Sequence, residues 1–223
     1  GYSADDMLYL DPDTAGALVD AKPIGDTSRP LGYYMPIGRV SAVADVDNFT
    51  IDLAIPSEPV FNPIYARHKP TSPSSSAPDF TNLSLDSVGR RVVICGSVEG
   101  DGAGSTEIGF TYNGVSSGYE GIYGYPNAQG SSETWTIDNT NTSDINVARE
   151  PGSSNKTLSF DGRLWGGGDI WAYSGQGPIN SPEAYTFQST GPSASDITNI
   201  AFNFFNLTFD GDKDFIDLII NQM

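Results

Sequence analysis

Cysteine and histidine are almost absent from this sequence of 223 residues, which holds one of each, Cys95 and His68. A single cysteine excludes an intrachain disulfide and any zinc site built from several cysteines. His68 lies in the basic stretch Arg67-His-Lys-Pro70, where no neighbouring residue marks a nucleophile for it to activate. We therefore expect a protein that is not an enzyme.

Basic residues are also scarce, with 11 Lys and Arg against 28 Asp and Glu, a net charge of −17. Such a surface disfavours both the phosphates of nucleic acid and an anionic membrane. The sequence also lacks the run of roughly 18 apolar residues that a membrane-spanning helix requires. We expect neither nucleic acid nor a membrane as a partner.

Short alternating segments separated by turn residues make up most of the chain. Phe49, Ile51 and Leu53 alternate with polar residues, and a similar segment precedes them across Asp45-Val-Asp-Asn48, which predicts a hairpin. From residue 79 onward, turns recur about every ten residues, the spacing of a β-sandwich. Within that part, Asn113-Gly114 is a strong hairpin signal.

The pattern predicts an all-β chain built on an antiparallel, jelly-roll-like β-sandwich. Three regions are expected: residues 1–68, an irregular, Pro-rich attachment or assembly region with one hairpin; residues 69–78, a Pro/Ser-rich linker or loop; and residues 79–223, the sandwich.

Four segments of the predicted sandwich occur in a characteristic order. They are Val92-Val-Ile-Cys-Gly-Ser-Val-Glu-Gly100, Phe110-Thr-Tyr-Asn-Gly114, the stretch from Lys156-Thr-Leu-Ser-Phe160 to Trp171, and Ile197-Thr-Asn-Ile200 followed by a closing apolar strand at 215–220. This order resembles the β-sandwich module of tailed-phage virion surface proteins, which occurs in head decorations, head fibres and tail appendages. The resemblance implies a non-enzymatic structural protein located on the virion, in contact with other virion proteins such as the major capsid protein.

Two other functions stay open at this stage. A carbohydrate- or receptor-binding module would explain aromatic residues interleaved with Gly, Asn and Ser. A capsid jelly roll from another virus class would share the strand pattern. A basic arm that touches the genome would support a capsid jelly roll, and residues 1–30 contain no such arm.

An acidic turn near the end of the sequence is the best candidate metal site. Asp210, Asp212, Asp214 and Asp217 place hard oxygen ligands at short spacing, as Ca²⁺ requires. The turn lacks the glycine and glutamate of an EF-hand loop. The alternative is a hairpin turn with solvated carboxylates. Apart from this candidate Ca²⁺ site, we expect no cofactor.

Aromatic residues supply the candidate glycan-binding residues Tyr123, Tyr125, Trp135 and Trp171, within a wider group that also includes Trp165 and Tyr173. Aromatic faces beside amide and carboxylate side chains suit sugars, and a host glycan is the expected ligand. The alternative is that these aromatics pack the core or a subunit interface.

The last two predicted strands, at 197–205 and 215–220, carry apolar residues on both faces and are predicted to form a terminal hairpin. A second apolar face needs a covering layer. We therefore expect self-association as a homo-oligomer, for which the resemblance to projecting phage appendages favours a trimer.

Overall fold

The computed structural model describes residues 1–45, 48–53, 58–86, 91–100, 106–127, 134–150, 157–167, 170–177, 185–209 and 213–221. Every regular element within these ranges is a strand, and every strand pair is antiparallel. The strands are β1 Met7–Leu10, β2 Leu18–Val19, β3 Tyr33–Tyr34, β4 Pro36–Asp45, β5 Asn48–Leu53, β6 Val60–Phe61, β7 Ile64–His68, β8 Asp79–Phe80, β9 Leu85–Asp86, β10 Arg91–Gly100, β11 Thr106–Tyr112, β12 Tyr119–Asn127, β13 Thr134–Thr142, β14 Ile145–Glu150, β15 Thr157–Gly167, β16 Ile170–Gly177, β17 Tyr185–Thr190, β18 Asp196–Ile197, β19 Ile200–Phe205, β20 Leu207–Thr208 and β21 Phe215–Asn221. The predicted all-β class is confirmed.

The large sheet has the strand order β13-β12-β17-β16-β15-β10-β21-β7, and β20 pairs with the end of β10. Strand β10 lies between β15 and β21 along most of its length. Its residues Val92, Ile94 and Val98 are fully buried, whereas Val93 and Cys95 between them are half-buried. This period of two shows that one face of the large sheet meets the core and the other faces outward.

The second sheet has the order β14-β11-β19-β8 and packs on the inner face of the large sheet. Phe110 of β11 meets Tyr173 of β16 edge to face, with ring centroids 5.7 Å apart. Buried residues of both sheets form one continuous cluster. Two antiparallel sheets that share a core are a β-sandwich, as the sequence predicted.

The predicted terminal hairpin is wrong. Strand β19 lies in the second sheet and β21 in the large sheet, so the two strands do not pair. Ile200 and Phe202 point into the core, and Phe205 is 57% exposed. The opposite sheet therefore supplies most of the covering layer that the apolar pattern demands.

The N-terminal region forms a small sheet of its own, in the order β2-β1-β4-β5. Strands β4 and β5 pair as the predicted hairpin. Between β2 and β3, the chain runs along the outer edge of β7. There the amide of Leu31 donates to the carbonyl of Tyr65 (2.7 Å), and the amide of Arg67 donates to the carbonyl of Gly25 (2.8 Å). These bonds occupy backbone groups that an edge strand would otherwise leave unpaired.

The sandwich extends to β7, which the sequence-based division placed in the N-terminal region. Tyr65 and Ala66 of this strand are buried in the common core. The Pro/Ser-rich segment after it also contacts the sandwich, because Ser74 and Phe209 form an isolated bridge. The chain therefore enters the large sheet before the predicted linker and not after it.

Candidate functional site

The outward face of the large sheet contains two adjoining hollows of about 680 Å³ and 770 Å³. Both are lined by Trp165, Ser174 and Gln188, so they form one continuous depression. We call it the outer groove. It is lined by outward side chains of β10, β15, β16, β17 and β12, and it extends across the sheet from Arg91 on β10 to Ile122 on β12. Five strands at about 4.8 Å spacing give it a length of about 19 Å.

Strict alternation in β15 explains how the groove acquires its side chains. Leu158, Phe160 and Leu164 are buried in the core, whereas Arg163 and Trp165 point outward and are exposed. This alternation places Arg163 and Trp165 together on the outer face, while Phe160, the other aromatic residue of the strand, faces the core.

The register of neighbouring strands arranges these side chains in rows across the sheet. One row runs Arg91, Trp165, Ala172, Thr190, Glu120, and the next runs Val93, Arg163, Ser174, Gln188, Ile122. Trp165 is 37% exposed although it is the largest side chain in the groove. Because its neighbour Ala172 is small, the indole is not covered on the side of β16.

Ion pairing separates two arginines from the others that the structure describes. Arg29, Arg39 and Arg67 form salt bridges with Asp13, Asp5 and Asp217, and Arg149 lies opposite Glu107, with which it interacts electrostatically. Among the described residues, no carboxylate forms a salt bridge with Arg91 or Arg163. Both of these arginines lie in the outer groove beside Trp165, where their guanidinium groups can receive an anion.

The acidic turn is only partly described. Asp210 and Asp212 lie outside the described residues. Asp214 is buried and accepts a hydrogen bond from the amide of Glu99 (3.0 Å). Asp217 is buried and accepts two hydrogen bonds from Arg67, so its charge is already balanced by a guanidinium. The described part of the chain contains no cluster of three or more His, Cys, Asp or Glu side chains fit for a metal; the Ca²⁺ site stays a prediction.

The structure contradicts one of the four predicted glycan-binding residues, Trp171. Its side chain is completely buried, and its indole N–H donates to the carbonyl of Ala194 (2.8 Å), so it offers no face to a sugar. Tyr123 and Tyr125 lie in β12 and Trp135 in the neighbouring β13, but their side chains lie outside the described part of the structure. These three residues stay predictions.

Trp165 is the exposed aromatic residue of the groove, and it is not among the four predicted glycan-binding residues. The signal was present, because Asp161, Arg163 and Trp165 share one phase of a strand whose other phase is Leu158, Phe160, Gly162 and Leu164. A period of two assigns Trp165 to the polar, outward face.

The residues that could act as nucleophiles are poorly placed for it. Burial, together with Asp217 and Asp161, raises the pKa of Cys95 to about 11. Burial lowers the pKa of His68, whose ring packs edge-on against Phe209 at 4.9 Å. The stretch Gly114-Val-Ser-Ser-Gly118 has Gly-x-Ser-x-Gly spacing, but it leads into β12 rather than into a helix, so it is not a nucleophile elbow.

A pair of carboxyl groups lies on the outward side of the second sheet. Burial raises the pKa of Glu107 and of Asp144. Asp144 lies over Gly109, where any added Cβ would come within 2.8 Å of its carboxylate, and it accepts a hydrogen bond from Asn203 (3.2 Å). These contacts tie β11, β14 and β19 together and account for both acidic residues.

Comparison of this chain with protein-family models, with curated proteins and with solved structures found no match. Among the described residues there is also no helix long and apolar enough to cross a bilayer.

Proposed function

We propose that this protein is a non-enzymatic structural component of a virion surface, which attaches through its N-terminal region and presents the β-sandwich outward. The observation that carries the proposal is the uneven distribution of exposed apolar side chains. Five of the ten large apolar residues exposed in the described part of the chain lie before residue 54: Leu10, Ile24, Tyr33, Val43 and Leu53.

The N-terminal region also contains an apolar hollow of about 210 Å³. It is lined by Leu10, Leu31, Tyr33, Tyr34 and Met35 together with Pro12, Pro23 and Pro59. Exposed apolar patches on an otherwise acidic protein are typical of surfaces that other proteins cover. This composition suits attachment to a partner.

The attachment region and the outer groove lie toward different edges of the large sheet. The N-terminal chain is bonded to β7, which is one edge strand. The groove begins at β10, two strands further in, and extends away from β7 as far as β12. A protein held by its N-terminal region would therefore leave the groove accessible.

The proposed partners are other virion proteins, such as the major capsid protein, and further copies of this chain in a homo-oligomer, with a trimer favoured by the resemblance. Ile170 and Phe205, at 58% and 57% exposed, are the most exposed apolar residues described in the sandwich, and both are available for contact between copies. Close packing of copies with a charge of −17 requires neutralisation of carboxylates at the contact. Light scattering with and without EDTA measures the oligomer and the contribution of any cation.

Mass spectrometry of gradient-purified particles from the source of this sequence tests the proposed function. We expect peptides of this chain in constant ratio to the major capsid protein across the particle peak. In a second arm, purified protein is added back to stripped particles. Leu53→Ser should weaken attachment, whereas Val115→Ser, a change at an exposed apolar residue between β11 and β12, should not. Absence of the chain from particles contradicts the proposal.

A carbohydrate- or receptor-binding module is the second candidate function. The observation that favours it is the outer groove, where Trp165 is exposed among hydrogen-bonding side chains such as Ser174, Gln188 and Thr190. Open grooves with an aromatic platform and polar walls suit sugar chains. The two functions are compatible, since a virion surface protein can carry a glycan-binding face.

A further inference from the structure

We infer that the outer groove binds an acidic oligosaccharide, with a sugar ring on Trp165 and its carboxylate between Arg91 and Arg163. This inference deepens the second candidate function and does not depend on the protein being part of a virion. It assigns a site to residues outside the four aromatic residues that the sequence singled out.

The position of the two arginines carries the choice of an acidic ligand. Arg91 pairs directly with Trp165 across β10 and β15, and Arg163 precedes Trp165 by two residues on the same face. In a chain with 28 acidic and 11 basic residues, carboxylates are plentiful, yet no described one bridges either arginine. Guanidinium groups bind carboxylates in bidentate fashion, so two of them beside one indole form a seat for an anionic ring.

The acidic side chains of the groove lie away from this seat. Glu120 is on β12, four strand intervals or about 19 Å from Arg91 along the same row. Asp161 lies on the far side of Arg163 from Trp165, at the next outward position of β15. Both can accept hydrogen bonds from sugar hydroxyls without opposing a carboxylate next to Trp165.

The remainder of the groove favours a sugar chain over a peptide. Peptides that bind sheets generally pair with the backbone of an edge strand. Here all five strands under the groove are interior ones, because β13 pairs with the outer side of β12, and they present only side chains. Ser174, Gln188 and Thr190 offer hydroxyl and amide groups along the groove, as a ligand with hydroxyls on successive rings requires.

Nucleic acid fits the groove less well than a glycan does. A polyphosphate backbone needs a series of cations along its length, whereas the groove concentrates its two arginines at one end. An acidic glycan with sparse carboxylates matches one cationic seat followed by neutral polar positions. Electrostatic attraction then acts locally, against the long-range repulsion from a chain of net charge −17.

The test is binding of the full chain to an array of uronic-acid and sialic-acid oligosaccharides, each beside its carboxyl-reduced counterpart. We expect binding to carboxylated members, weakened about tenfold or more by carboxyl reduction and by added salt. Titration of the best carboxylated ligand then compares the variants. Trp165→Ala and Arg163→Gln should each lower the affinity about tenfold or more.

Matched controls remove the same groups elsewhere. Arg39→Gln removes one positive charge and Tyr33→Ala one exposed aromatic ring, both in the N-terminal region. Both controls should bind as the unaltered chain does, and circular dichroism checks that every variant folds. Equal loss in Arg163→Gln and Arg39→Gln would show a general charge effect and overturn the inference.

Two further outcomes also overturn the inference: the chain binds no glycan, or it binds carboxylated and reduced forms equally. If it binds no glycan and Arg163→Gln changes the oligomer mass, the groove is a contact between copies. The proposed function fails separately. A chain found on particles that binds no acidic glycan loses only this inference, and a glycan-binding chain absent from particles loses only the virion role.

Discussion

Arg67 and Asp217 form a two-point ion pair between β7 and β21, with Nε 2.7 Å from Oδ1 and Nη2 2.6 Å from Oδ2. The carboxylate is buried, whereas the guanidinium is about one-third exposed. The hydrogen bonds from Arg67 to Asp217 raise the pKa of the guanidinium. A buried carboxylate that depends on one arginine makes this pair the main electrostatic link between the last strand and the edge of the large sheet.

Arg67→Met should destabilise the protein by about 3–5 kcal/mol, because it leaves the Asp217 carboxylate buried without a partner. The double variant Arg67→Met with Asp217→Leu should recover much of that loss, since it removes the stranded charge. Chemical denaturation measures both. Arg39→Met, which breaks an exposed pair, is the control and should cost about 1 kcal/mol or less. A double variant no better than the single one would contradict this account.

Gly25→Ala should detach the N-terminal chain from the edge of β7. A Cβ at this position would lie 2.0 Å from the carbonyl oxygen of Tyr65 and 2.4 Å from the amide of Leu31, and backbone atoms cannot yield cheaply. We expect a loss of about 1–3 kcal/mol, typical of overpacking. Hydrogen exchange should report faster opening at the amides of Leu31 and Arg67. Gly32→Ala, whose nearest contact is the Tyr65 ring at 3.9 Å, is the tolerated control.

His68 should make the protein less stable in mild acid. Burial lowers its pKa below the ordinary 6.5, so the unfolded chain binds a proton more readily than the folded one. Its stabilising contribution is therefore complete above 6.5 and is lost as the pH falls through the lowered pKa. The melting temperature of the unaltered chain minus that of His68→Gln should shrink between about pH 7.5 and about pH 5. A constant difference would refute the assignment, and carboxylates cancel because both proteins share them.

Cys95 should react slowly with alkylating reagents in the folded protein. Its pKa rises from 9.0 to about 11, which lowers the thiolate fraction near neutral pH by about 100-fold. We expect iodoacetamide labelling, followed by intact mass, to be slower in buffer than in urea by at least this factor. In the Cys95→Ala background, Ser41→Cys, at an exposed position of β4, provides the rapidly labelled control. Equal rates in the two solvents would contradict the burial.

Much of the strand pattern follows from the sequence, whereas the pairing does not. The alternation of β15 is enough to identify a strand and its two faces from the order of its residues. Yet both phases of neighbouring strands carry aromatics, with Trp165 outside and Trp171 inside. Composition alone therefore misassigned Trp171, because only the position of the second sheet decides which aromatic is buried.

The turn residues predicted the local backbone geometry but not the sheets to which the flanking strands belong. Asn113 and Gly114 have φ values of 53° and 68°, as the predicted turn requires. The strands on either side do not form a hairpin, because β11 belongs to the second sheet and β12 to the large one. The Asn113 side chain instead accepts from the amide of Thr198 (2.8 Å), so distant residues hold the turn.

The place of β21 between β10 and β7 has a consequence for how the chain folds during its synthesis. Arg67 and Asp217 are 150 residues apart in the chain, so β7 must wait for β21 to leave the ribosome. Until then, β10 and β7 have no common partner, and the nascent sheet remains split with the β10 edge open. Closure of long-range β pairs is slow and exposes the chain to aggregation. We therefore expect β7 to join the large sheet only once β21 has been synthesised, as the step that connects this edge strand to β10.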